Sequence, residues 1–195
     1  LAVVNVDFQN EVTADGVPVR SPGDATAASQ TVDGNTLTLS AKSKVLVCDD
    51  QVCYGYNSAN LNGNIFAIDG NWDTTSSLTL SLDSGKIFDL TSFNVQDQSG
   101  PGLTLRLTTS KGSVTQAVTA DGDAQIYAFN DSKLQGVSSV TITKENSGTF
   151  LISLDEIKLE NITLPNSAPV FTGLNGGSTY TENGSAVVID NNVTV

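Results

Sequence analysis

The chain has 195 residues, 21 acidic against 9 basic, a net charge of −12, and neither His nor Met. Without His, no Ser–His–Asp or Cys–His relay can be assembled, and an acidic surface repels phosphate, which argues against nucleic acid or anionic lipid as partners. No run of about eighteen apolar residues occurs, so no helical membrane insertion is expected.

In chain order, the pattern is period two almost throughout. The N-terminal stretch Leu1–Val6 is too short and lacks the basic flank of a signal peptide. Thr36–Ser40 alternates Thr or Ser with Leu, as a half-buried strand does. Cys48 and Cys53 follow in "VLVCDDQVCYGY". With no His and no other Cys a zinc site fails, and the spacing is wrong for a redox CxxC. A disulfide closing a short loop is the economical reading over two free thiols, with a contribution at the low end, about 2 kcal/mol. Tyr54, Tyr56 and Asn57 come next, followed by further asparagines, and Trp72 lies in the polar stretch "DGNWDTTS". These are large rings outside alternating apolar strands. They read either as a ligand site built from Tyr54, Tyr56, Asn57 and Trp72 beside the Cys loop, or as a core plug with tyrosines on its rim.

Strands resume at Ser77–Leu82, Phe88–Phe93, Leu103–Leu107 and Val137–Thr143, separated by Asp33-Gly34-Asn35, Asp83-Ser84-Gly85, Lys111-Gly112 and similar turn formers. Phe8, Phe66, Phe88, Phe93, Phe129 and Phe150 fall in alternating strands and are expected in the core. No segment has helical spacing of useful length. The fold expected is an all-β antiparallel sandwich of about eight to ten strands. No carboxylate pair carries a glycosidase signature, so the reading is non-catalytic.

Two resemblances extend this. "FDLTSF" at 88–93, "GVSSVTI" at 136–142 and "LDEI" at 154–157 occur in the order found in jelly-roll domains of the carbohydrate-binding-module, galactose-binding-like kind. The resemblance implies that the last strand lies beside the first of that half, and that Val3–Phe8 is their N-terminal partner. It also implies a structural calcium ion where first and last strands meet, with Asp7, Glu11 and Asp155 at the matching positions. Taken by themselves, Asp7 is a solvated strand residue and Asp155 a turn cap. Asp155, however, interrupts an apolar run, where a carboxylate is costly unless paired or metal-bound.

Near the C-terminus, "NSAPVF…YTENGSAVVIDNNVTV" resembles the opening of a cadherin-like or Ig-like repeat of large bacterial surface proteins. The expected organisation is therefore a jelly-roll module over 1–163 and, over 164–195, a linker with the truncated start of such a repeat. The two resemblances imply an extracellular or cell-surface module, monomeric as a fragment, that binds carbohydrate in an adhesin or polysaccharide-processing protein. The alternative they leave is a spacer or cap that contacts other protein and no sugar.

Overall fold

A computed structural model describes residues 2–8, 13–14, 17–18, 26–41, 44–49, 64–69, 77–97, 102–119, 124–145 and 152–165, with backbone alone at 2, 13–14, 17–18, 44–49 and 64–69. The chain divides into a unit Leu1–Leu164 and a second, Pro165–Val195. The described residues of the first unit form no α-helix, only strands and two short 3-10 turns. The strands are β1 (Ala2–Val6), β2 (Thr13–Ala14), β3 (Val17–Pro18), β4 (Ala27–Val32), β5 (Asn35–Ala41), β6 (Lys44–Asp49) and β7 (Asn64–Asp69). They continue as β8 (Ser77–Leu82), β9 (Ile87–Asp97), β10 (Leu103–Thr109), β11 (Gly112–Val118), β12 (Gln125–Ala128), β13 (Ser139–Lys144) and β14 (Ile152–Thr163). This exceeds the expected eight to ten. The added strands include the two-residue pieces β2 and β3, too short to carry an alternation.

One sheet runs β12-β9-β14-β7-β6 with β1 also on β14, and the other runs β11-β10-β13-β8-β5-β4-β2-β3. All the strand pairings are antiparallel, and the two sheets share one apolar core, so the class is the expected all-β sandwich. Why these residues pleat is plain in β8, whose Leu78, Leu80 and Leu82 are buried between outward Ser77, Thr79 and Ser81. The β4–β5 hairpin closes on Asp33 (φ 49°) and Gly34 (φ 72°), the two positive torsions a tight two-residue turn demands. Phe8, Phe88 and Phe93 are buried, and Phe129 packs on the core with its ring centroid 4.9 Å from that of Phe93. The side chains of Phe66 and Phe150 lie outside the described residues.

Strand β14 departs from simple alternation. Its buried apolar residues are Ile152 and Leu154, then Ile157 and Leu159, with Ile162 packed against the core. The phase therefore changes after Leu154 and again after Leu159. The register against β9 shifts at those places, and Glu156 (φ 48°) and Asn161 (φ 53°) adopt left-handed torsions there. Each is a β-bulge, an extra residue that re-aims the strand so that its apolar side chains keep facing inward. Strand β9 answers with its own phase change, from Phe88 and Leu90 to Phe93 and Val95. Asp89 holds the second bulge, accepting hydrogen bonds from Asn161 Nδ2 (2.7 Å) and from the Gly136 N–H (2.6 Å).

Candidate functional site

The first candidate is the junction on β14. One edge of that strand pairs with β7 at Ser153 and Leu154 and then with β1 from Ile157 to Ile162. The partner changes at Asp155 and Glu156, the first bulge. Val6 pairs with Ile157, so Asp7 and Phe8 follow directly at the same point. The expected adjacency of first and last strands is thus present in the backbone, and it brings Asp7 and Asp155 to one junction. Glu11 lies outside the described residues.

Asp155 has 0% exposure, and its Oδ1 accepts the Glu156 N–H at 2.8 Å. A carboxylate so placed needs donors or a cation to offset lost hydration. Asp7 is half-buried, and its Oδ1 accepts from Gln30 Nε2 at 3.3 Å. The same amide's Oε1 accepts the Phe8 N–H at 3.0 Å. Gln30 is 1% exposed and sits on β4 of the opposite sheet, so it reaches across the core to hold the end of β1. Phe8 itself has φ 54°, a left-handed torsion that ends the extended run of β1. On the outer side of the bulge, Asn5 Nδ2 donates to Glu156 Oε2. Sequence reasoning missed Gln30 and Asn5. The signal for Gln30 was its inward phase in β4, one step from buried Ala28, where an amide is out of place unless it pairs.

The donor set at this junction is oxygen only, which suits a hard divalent cation such as Ca2+. Asp7 and Asp155 are the carboxylates that would hold it, with backbone carbonyls completing the shell. Among the described residues no three His, Cys, Asp or Glu side chains gather as a metal-binding group.

The second candidate is the Tyr/Asn segment. Strands β6 and β7 pair from Lys44↔Asp69 to Asp49↔Asn64, so residues 50–63 are carried between the paired ends of one hairpin. Cys48 is in β6, paired with Ile65. Cys53, Tyr54, Tyr56 and Asn57 lie outside the described residues, as does Trp72. The connectivity adds one fact about them. The Tyr-bearing segment enters β7 at Asn64, whereas the Trp72 segment leaves it at Asp69, at the opposite end, about 17 Å away at strand rise. The described backbone therefore does not itself bring Trp72 to the tyrosines.

Asp83 shows an electrostatic shift. The Thr36 N–H (2.9 Å) first, and Lys86 after it, hold the Asp83 carboxyl below its ordinary value of 3.8. Lys86 Nζ also donates to the Gly34 carbonyl and Asn35 Oδ1, binding the β4–β5 turn to the turn after β8. This cluster is structural. Among the described residues no helix is long and apolar enough to cross a membrane.

Compared with known proteins, the chain matches no protein-family model and no curated protein sequence.

Proposed function

We propose that residues 1–163 form a non-catalytic, jelly-roll carbohydrate-binding module, displayed outside the cell by a modular bacterial surface protein, with Ca2+ at the β1–β14 junction. The observation that carries this reading is the way the Tyr54, Tyr56 and Asn57 segment is carried. Its two ends are fixed by the Asp49↔Asn64 pair at the edge of a hydrogen-bonded sheet. A segment anchored at both ends on a rigid scaffold gives up less entropy on binding than a free one. Tyrosine rings offer flat area for sugar C–H faces, and asparagine amides both donate to and accept from hydroxyls. A Cys48–Cys53 bridge would brace the start of that segment.

The cation reading rests on Asp155, buried without exposure at the point where three strands meet. An ion there would tie the first strand to the last and neutralise charge that the fold encloses. The test is a glycan array run with calcium and with chelator, on the parent and on Tyr56→Ala. Binding lost in Tyr56→Ala with an unchanged melting curve supports the site. No glycan binding under either condition overturns the carbohydrate reading and leaves a spacer that contacts protein.

A further inference from the structure

The outward face of the larger sheet is the most regular surface among the described residues, and the site above makes no use of it. Its strands set hydroxyl side chains side by side. Ser40, Thr79, Thr141, Thr108 and Ser113 form one row across β5, β8, β13, β10 and β11, each directly opposite the next. Rows before and behind repeat the chemistry, with Ser29 opposite Thr38 and Thr31 opposite Thr36. Neighbouring hydroxyls bond to each other, Ser29–Thr38 at 2.8 Å, Thr79–Thr141 at 3.1 Å and Thr108–Ser113 at 3.1 Å, and in each pair either oxygen can donate.

Charge makes this unusual. The chain carries 21 acids and 9 bases, yet among the described residues of these rows the charged side chain is Arg106, neutralised by its ion pair with Glu145. An ordinary solvated sheet face mixes Lys, Glu and Asp among its hydroxyls. Here an acidic protein presents a face of short, uncharged side chains, each able to turn its hydrogen toward or away from a partner. The spacing is periodic, about 4.8 Å across strands and about 6.7 Å along them. Threonine adds a methyl group beside each hydroxyl, so the face offers alternating apolar and polar spots, as a pyranose does.

We infer that this face is a second contact surface for a neutral polysaccharide, one without uronate, sulfate or sialate groups. The inference rests on the carbohydrate reading given above and names the ligand's charge class. Charge decides the class: a polymer of carboxylates or sulfates meets a protein of net charge −12, and among the described residues the rows carry one cation, Arg106, already paired with Glu145, with Lys133 only at their Ser113 end. Exchanging water for a sugar hydroxyl gains little at any one position. Affinity must therefore come from many contacts along an extended chain, and short oligomers should bind poorly.

The experiment measures binding of the protein to soluble neutral glucan and mannan, with alginate and hyaluronate as acidic polymers. It compares the parent with Thr79→Val/Thr141→Val, which keeps shape and β-branching but removes two central hydroxyls. A second variant, Thr79→Glu, places a charge in the row. Both residues face outward, and melting curves verify the folds. The expected result is binding to a neutral polymer and not to the acidic ones, weakened at least tenfold in each variant at unchanged melting temperature. Undiminished binding in both variants overturns this surface while leaving the carbohydrate reading standing. Preference for the acidic polymers also overturns it, and binding to no polymer at all overturns both.

Discussion

Inserting a single residue into β14 should unfold the module, although the residue beside the insertion can be replaced at little cost. Glu156 is the extra residue of the first bulge. A second extra residue, inserted between Glu156 and Ile157, puts the strand beyond it out of phase with Leu154. Ile157 and Leu159, both fully buried, would then turn outward, and Lys158 and Glu160 would turn toward the core. Each aliphatic side chain exposed costs about 1.5–3 kcal/mol, so the pair costs about 3–6 kcal/mol before the two charges are counted. Burying Lys158 and Glu160, even paired with each other as they are, adds several kcal/mol more. A domain's whole stability is roughly 5–15 kcal/mol. Glu156→Gly, by contrast, keeps the bulge. It relieves a left-handed torsion that costs a side-chain-bearing residue about 1 kcal/mol, and it loses an exposed hydrogen bond from Asn5 of about the same size. Urea denaturation should therefore show Glu156→Gly within about 1 kcal/mol of the parent. The insertion variant should lack a cooperative transition. An insertion variant that melts cooperatively within a few degrees of the parent would refute the bulge account.

Other consequences are quicker to check. Asp89→Ala strands the Gly136 N–H and frees Asn161, and should cost on the order of 3 kcal/mol by denaturant titration without altering glycan binding. Asp83 is held below its ordinary value of 3.8, so the unfolded chain takes up its proton first as acid is added. Its contribution is complete above 3.8 and is lost as pH falls through the lower folded value, and Asp83→Asn should flatten that part of a stability-versus-pH curve. A cation bound only by the folded state raises stability by about 2.7 kcal/mol at a hundred times its dissociation constant. Chelator should thus lower the melting temperature of the parent, and Asp155→Asn should melt at one temperature with or without calcium.

Much of the sandwich is legible because its strands say the same thing at two levels. In β5, β8, β10 and β13, Thr and Ser (with Arg106 the exception in β10) alternate with Leu, Val or Ile, so propensity and burial phase agree. Turn chemistry agrees as well at Asp33-Gly34. Strand β14 is legible as apolar but not in its phase, because a bulge leaves no mark beyond two polar residues between Leu154 and Ile157. The junction that Asp7 and Asp155 share is half legible. A carboxylate inside an apolar run is an anomaly a reader can find, whereas Gln30 reaching Phe8 from the other sheet depends on packing that no local pattern encodes. The strands flanking the Tyr/Asn segment are legible only in outline, with Phe66 marking one, because "KVLVCD" and "NIFAID" are short apolar runs whose bounds are ambiguous without their pairing. The threonine rows escaped for a different reason. Each strand alone is ordinary, and only the register across the sheet lines the hydroxyls up.

The account stands or falls on sugar binding by an intact fold. Isothermal titration of the purified chain with the best glycan from an array, in calcium, should give a saturable isotherm of modest affinity. That isotherm should vanish in Tyr56→Ala while the melting curve stays where it was. A parent that shows no heat with any array glycan, or a Tyr56→Ala variant that binds as the parent does, would contradict it.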